Sequence, residues 1–154
     1  MKQYIGTKVI QAEPATKGQA AAKRMGLKVE NCPDTLAGMK ADGYRVIYPD
    51  GYESWSPKDV FEAAYRATDG MNFGLAIEAA KMGKKIAREG WNGKNQYVEL
   101  ASCISYKNSA GEIVNVGHDA IGNKALAFVG TSGVQMGWLA SQADMLADDW
   151  KIVE

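Results

Sequence analysis

Residues 83–100 read GKKIAREGWNGKNQYVEL, in which an Asn-Gly pair separates two short segments of strand character. Residues 84–91 predict one strand and residues 97–100 the returning one. Asn92-Gly93 is the strongest short signal for a tight hairpin turn between them. Because strands joined by such a turn run antiparallel, this stretch predicts an antiparallel sheet in the second half of the chain.

The flanking segments extend this sheet and add two short helices. Alternating patterns predict further strands at residues 103–106, 113–116, 126–130, 134–139 and 150–153. One helix follows Asn72, a good N-cap, and ends near Gly83. Ser141 caps the other helix, which is expected to run to Asp148. The second half is therefore predicted to be mostly antiparallel β with two short helices.

A separate unit is predicted before residue 70. It has strands at residues 4–11, 44–48 and 52–55, a helix over 17–25 and a loop over 27–42. A second helix is predicted to start with Ser56 as cap and Pro57 in the first helical position. The fold class is thus α+β, with a small N-terminal α/β module at 1–69 and the β unit at 70–154.

Composition limits the class of partner. Among the 154 residues, 18 Lys and Arg balance 18 Asp and Glu, which leaves no net charge for binding duplex nucleic acid. No apolar run could span a bilayer, so no membrane partner is expected. Two distant cysteines and one histidine form no metal-ligand pattern, so neither a metal site nor a cofactor is predicted. A reduced, cytoplasmic setting follows.

Catalytic patterns are nearly absent. The chain has no Gly-Lys-Ser phosphate loop and no nucleophile elbow. His118 stands beside Asp119, but neighbouring strand residues point apart, so His118 is interpreted as a loop residue. The Asp148-Asp149 pair follows a helix end and is interpreted as solvated. We therefore expect a protein that is not an enzyme.

Two stretches carry residues suited to an anionic ligand with a base. Arg88 can pair with phosphate, and Trp91, followed by Asn92, offers an indole that can stack on a purine. The residues alone favour a plainer interpretation, in which Trp91 is core and Asn92 a turn residue. The second stretch contains Trp138, Ser141, Gln142 and Asp144. Ser141 and Asp144 have capping-box spacing, whereas Gln142 is not needed for the cap.

Two longer motifs occur together in the second half. Residues 71–94 read MNFGLAIEAAKMGKKIAREGWNGK, and residues 138–150 read WLASQADMLADDW. Over about 71–154 the chain resembles the Thoeris anti-defence 2 family of phage proteins. The resemblance implies a homotetrameric sponge that binds 1''-3' glycocyclic ADP-ribose, the signal made by Thoeris TIR enzymes, without degrading it. It also implies action in the cytoplasm of the infected bacterial host.

The resemblance further implies roles for individual residues. Trp91 would stack on the adenine, and Arg88 and Asn92 would contact ribose or phosphate. The closing motif would supply polar contacts from Ser141, Gln142 and Asp144.

Some members of that family hold cyclic dinucleotides at a separate site. In the first unit, Gln19 and Arg24 beside Gly18 are the best candidates for such a second nucleotide site, with an ordinary capped helix as the alternative. Two other functions stay open: an enzyme that hydrolyses the same signal, and a structural phage adaptor module.

Overall fold

The computed structural model describes residues 1–28, 39–103, 105–114 and 124–154. They divide into two compact units, Met1–Arg66 and Ala67–Glu154. Antiparallel sheets and four helices make up the described part of the chain, which confirms the α+β class. None of those helices has the length and apolar character that crossing a membrane requires.

The described residues of unit 1 form a three-stranded antiparallel sheet and two helices. Its elements are β1 (Gln11–Pro14), α1 (Lys17–Arg24), β2 (Gly43–Ile47), β3 (Glu53–Pro57) and α2 (Lys58–Ala64), with the strands in the order β1-β2-β3. Buried Ala20, Ala22 and Val46 form part of its core. Gly43 is required where β2 and β3 meet, because a Cβ there would lie 2.1 Å from the backbone oxygen of Ser56.

The described residues of unit 2 form a five-stranded antiparallel sheet, one main helix, one short helix and a small separate two-stranded sheet. Its elements are α3 (Phe73–Lys81), β4 (Lys85–Arg88), β5 (Tyr97–Ala101), β6 (Tyr106–Lys107), β7 (Ile113–Val114), β8 (Ala125–Gly130), β9 (Gly133–Met136), α4 (Gln142–Met145) and β10 (Trp150–Val153). The sheet order is β10-β4-β5-β8-β9, while β6 pairs with β7. Asn72 caps α3 as predicted, since its side chain accepts a hydrogen bond from the Leu75 amide.

The two faces of the large sheet differ. Directly opposed residues in an antiparallel pair share a face, and the register places Ile86 opposite both Val98 and Ile152. This first face packs against α3 in one apolar cluster. The second face carries Lys85, Ala87, Tyr97, Glu99, Ala127, Val129, Val134, Met136 and Lys151. It contributes no member to the cluster among the described residues.

Two predictions in unit 1 are wrong. The first strand spans Gln11–Pro14, not residues 4–11, because the part of this segment that pairs with β2 is Gln11 through Pro14. Tyr4 and Ile5 are fully exposed or nearly so, and a strand there would have nothing to pack on. Ser56 does not cap the second helix. It belongs to β3, and Pro57 takes the cap position without a side-chain hydrogen bond.

The tight Asn92-Gly93 turn is also wrong, although β4 and β5 do pair antiparallel. Eight residues, 89–96, connect the two strands. A two-residue turn of this kind needs positive φ at both central positions, but within the connection the positive φ, 57°, is at Asn95. The contacts of Trp91 and Gly90 described below hold the chain away from a tight turn.

Several predicted features fall outside the described residues. These are most of the 27–42 loop, one residue of the 103–106 strand, the end of the 113–116 strand, and His118 with Asp119. The neighbouring described strands are Tyr106–Lys107 and Ile113–Val114.

Candidate functional site

The 89–96 loop brings Trp91 into an aromatic cluster at one end of unit 2. Its indole packs edge-on against Phe128, Trp138 and Trp150, with ring centroids 5.4 to 6.0 Å apart. Trp150 is fully buried, whereas Trp91 and Trp138 are half-buried. The Trp91 Nε1–H donates to Asp144 Oδ1 at 3.2 Å. The indole is therefore held in one orientation while part of it still reaches the surface.

Arg88, the last residue of β4, directly precedes this loop and is bound by two carboxylates. Its Nε donates to Asp149 Oδ1 at 2.8 Å, and Nη1 donates to Asp144 Oδ1 at 3.0 Å. A longer bond of 3.4 Å joins Nη2 to Asp149 Oδ2. The Arg88 side chain is 19% exposed and that of Asp144 is 14% exposed. The Arg88–Asp144 pair is therefore largely shielded from solvent, whereas the side chain of Asp149 is 35% exposed. The three bonds occupy three of the five guanidinium N–H groups.

Asp144 is the hub of the site. Together with Ser141 it forms the predicted capping box of α4: the Ser141 amide and hydroxyl donate to its Oδ2, and its own amide donates to Ser141 Oγ. Burial would raise the pKa of Asp144, but the hydrogen bonds from Ser141, Arg88 and Trp91 outweigh burial and lower this pKa to about 2. Asp144 is thus a fixed carboxylate and a very weak base.

Asp149 is a member of the site that sequence reasoning missed. Besides Arg88 it accepts the Gly90 amide at 3.1 Å, and the hydrogen bond from Arg88 followed by that from Gly90 lowers its pKa against the effect of burial. The solvated interpretation of the Asp148-Asp149 pair holds for exposed Asp148 but not for Asp149. The role of Asp149 could have been inferred only from the pairing of β4 with β10. That pairing aligns Arg88 with Trp150, the residue that follows Asp149.

The predicted residues of the second half gather in this one place. Arg88, Trp91 and Asp144 are joined by hydrogen bonds, Ser141 is bonded to Asp144, and Trp138 packs on Trp91. Asn92 and Gln142 are exposed and each adjoins a member of the cluster along the chain. The surface combines half-buried indoles with exposed amide and hydroxyl groups.

The region that contains this cluster is similar to known proteins. The family model of the Thoeris anti-defense 2-like domain matches residues 71–153, more than half of the chain. A similar relative, named Thoeris anti-defense 2, comes from Bacillus phage SP01. It is 38% identical over 88 residues, which is 54% of this chain and 94% of the relative. This chain belongs to the Thoeris anti-defense 2-like family.

Every residue of the cluster lies inside the Thoeris anti-defense 2-like domain. The match begins within unit 2, so all of unit 1 lies outside it.

Unit 1, which precedes the Thoeris anti-defense 2-like domain, has a cavity of about 370 Å³. Its lining residues are Pro14, Ala15, Thr16, Gln19, Asp42, Gly43, Tyr44 and Lys58. Gln19 lines it and also completes the capping box of α1, where its Oε1 accepts the Thr16 amide. Arg24 lies in the last turn of α1, away from this lining. The Lys17 and Gly18 amides at the start of α1 donate to the backbone oxygens of Ala41 and Met39.

Proposed function

We propose that this protein is a counter-defence protein that captures a cyclic nucleotide immune signal without converting it. The ligand we propose is 1''-3' glycocyclic ADP-ribose, made by Thoeris TIR enzymes, and its capture would keep the host defence off. We place this action in the cytoplasm of the infected bacterial cell. Membership of the Thoeris anti-defense 2-like family supports the counter-defence role.

One observation supports a nucleotide ligand most strongly: the half-buried indole of Trp91 is held rigid beside exposed polar groups. Stacking of a base on an aromatic ring contributes about 1–3 kcal/mol and is more favourable when the ring is already ordered. In this proposal Trp91 and Trp138 contact the adenine. Exposed Asn92, Ser141 and Gln142 contact the ribose and phosphates.

Arg88 and Asp144 have narrower roles in the proposal. Arg88 already binds two carboxylates, so it would contact phosphate only through the N–H groups that those carboxylates leave. Asp144 acts through the residues it holds. A doubly charged pyrophosphate needs hydrogen-bond donors such as these remaining Arg88 N–H groups, because an unpaired charge is costly to remove from water.

Capture without conversion fits the protonation chemistry of the site. A general base works best when its pKa lies near the working pH. Asp144 has a pKa of about 2, and the pKa of Asp149 is lowered as well. Both carboxylates are also committed to Arg88. They are poorly suited to activating water, which disfavours the alternative of a hydrolase.

The test is titration of the protein with glycocyclic ADP-ribose, followed by heat denaturation and chromatography of the released ligand. We expect saturable binding and recovery of intact ligand. Recovery of a hydrolysed product would establish the enzyme alternative. Absence of binding at high ligand concentration would leave the structural adaptor as the better explanation.

We also propose that the protein assembles as a homotetramer, through the second face of the large sheet. Ala87 and Ala127 lie on this face on either side of the central strand, and Val134 at its edge is 61% exposed. Such a face can pack on its own copy.

Val134→Glu should shift the light-scattering mass toward a smaller species. Tyr106→Glu is the control, because Tyr106 is equally exposed, at 60%, but lies in the small β6–β7 sheet. A monomeric parent protein would refute the assembly.

A second nucleotide site in unit 1 is the other part of the proposal. The cavity lined by Gln19 and Lys58 is large enough for part of a cyclic dinucleotide, and Lys58 supplies a cation there. Arg24 lies on the same helix as Gln19 but outside the lining, so its part in the site is the point to test. We expect Arg24→Ala to weaken binding of cyclic dinucleotides while binding of glycocyclic ADP-ribose stays unchanged. Equal dinucleotide titrations of parent and variant would remove Arg24 from the site.

A further inference from the structure

Asp149 makes contacts that its neighbour Asp148 does not. Its carboxylate accepts three hydrogen bonds, from Arg88 Nε at 2.8 Å, from Arg88 Nη2 at 3.4 Å and from the Gly90 amide at 3.1 Å. Its backbone oxygen accepts a fourth, from the Glu89 amide at 3.1 Å. A single residue just before β10 thus fixes three consecutive residues of another segment.

Those three residues are the last of β4 and the first two of the 89–96 loop. Gly90 is part of the arrangement, because a Cβ at this position would lie 3.1 Å from Asp149 Oδ2. Glycine lets the carboxylate come close to the loop backbone. The next residue is Trp91, whose indole is then held at its far end by Asp144.

We propose that Asp149 is the positioning residue of the 89–96 loop: it anchors the start of the loop so that Trp91 and Asn92 are preorganised for the ligand. Asp149 itself does not touch the ligand. The predicted effect on affinity rests on the proposed nucleotide capture. The predicted effect on the geometry of the loop applies to the protein without ligand.

The expected size of the effect follows from population arithmetic. Apparent affinity falls in proportion to the fraction of molecules in the binding-competent arrangement. Asp149→Ala leaves Arg88 paired with Asp144, so no buried charge is orphaned. It removes the carboxylate anchors at the loop start and keeps only the backbone bond from Glu89. If the competent fraction drops to roughly one tenth, binding weakens by about tenfold.

The first arm of the test uses the 154-residue chain without ligand. Amide hydrogen exchange is compared in the parent, Asp149→Ala and the control Asp148→Ala, which removes an exposed carboxylate one residue away. Val98, fully buried in the sheet, reports global unfolding. We expect Gly90 and Trp91 amides to exchange faster in Asp149→Ala relative to Val98. Equal acceleration at Val98 would mean that Asp149 is only a general stabiliser, and the inference would be overturned.

The second arm titrates the same proteins, and Asp149→Asn, with glycocyclic ADP-ribose below their melting temperatures. We expect about tenfold weaker binding for Asp149→Ala and unchanged binding for Asp148→Ala. Asp149→Asn should fall between them, because its amide oxygen still accepts from Gly90. Unchanged affinity in Asp149→Ala would overturn the inference. Failure of the parent to bind would instead refute the proposed function, and the exchange arm would still decide the loop geometry.

Discussion

Trp91 combines two environments in one side chain. Its ring packs edge-on against three aromatic neighbours, and its Nε1–H is bonded to Asp144, yet it is only half-buried. Packing and a surface role were alternatives in the sequence, but the geometry allows both together. Substitution of Trp91 should therefore affect stability and binding in separable amounts.

Replacing Trp91 by alanine should lower the free energy of unfolding by about 3 kcal/mol, the low end for a large aromatic, because the ring is not fully buried. Trp91→Phe keeps most of the packing but loses the bond to Asp144, so a loss of about 1 kcal/mol is expected. Denaturant unfolding measures both. A negligible cost for Trp91→Ala would show that the ring packs on nothing.

Asp144 should leave a signature in acid unfolding. Its pKa in the folded protein is about 2, below the ordinary value of 3.8. A carboxyl group with a lowered folded-state pKa stabilises the fold above its ordinary pKa, and this contribution is lost as the pH falls toward 2. The difference corresponds to about 2 kcal/mol. Asp144→Asn should unfold with a correspondingly flatter dependence on pH between about 5 and 2. Parallel curves for parent and variant would contradict the assignment.

At this scale the sequence identified residue types better than partners. Arg88, Trp91, Ser141 and Asp144 were singled out separately, and the structure joins them by hydrogen bonds. Only the capping-box spacing of Ser141 and Asp144 was visible locally. The contacts of Arg88 span 56 and 61 residues of chain, and no local pattern encodes such a distance.

Among the elements, the 89–96 loop departs most from its sequence pattern. Asn-Gly favours a two-residue turn, but tertiary contacts at Gly90 and Trp91 determine the loop instead. The helix caps at Asn72 and Ser141 were predicted correctly from neighbouring residues, whereas the cap at Ser56 was not. The helix that follows Ser141 ends at Met145 and not at Asp148 as predicted. The strand predicted at residues 4–11 failed because a strand needs a partner, and alternation alone does not supply one.

Two asparagines of this loop give a direct test of its backbone. Asn95 has a φ of 57°, a conformation that costs about 1 kcal/mol or more for a residue such as alanine. Asn95→Ala should therefore reduce stability by about that amount. Asn92→Ala should leave stability nearly unchanged and weaken only ligand binding. If Asn92→Ala were instead the less stable of the two variants, the result would support the tight Asn92-Gly93 turn.

On the scale of the whole molecule, the family match and the compact units divide the chain at nearly the same place. The second unit spans Ala67–Glu154 and contains all of the matched residues 71–153. The sequence placed a boundary between residues 69 and 70 from turn and cap signals alone. For the first unit, which the family match does not cover, the sequence offers only the Gln19 and Arg24 candidates.

A fragment of residues 67–154 should fold and bind glycocyclic ADP-ribose with the affinity of the full chain, within about threefold. The reason is that all proposed contacts of this ligand lie in unit 2. Calorimetry on both proteins provides the comparison. A fragment that folds but binds more than tenfold weaker would assign part of the site to unit 1.

The edge-on packing of Trp91, Trp138 and Trp150 has an optical consequence. Their rings are held 5.4 to 6.2 Å apart at interplanar angles of 72 to 77°. Indole transition dipoles at such short range and fixed angle couple as excitons, which produces paired circular dichroism bands of opposite sign. A chromophore seated on Trp91 would perturb this coupling. If a base stacks on Trp91 as proposed, these bands would report its binding, read by light absorption without any dye.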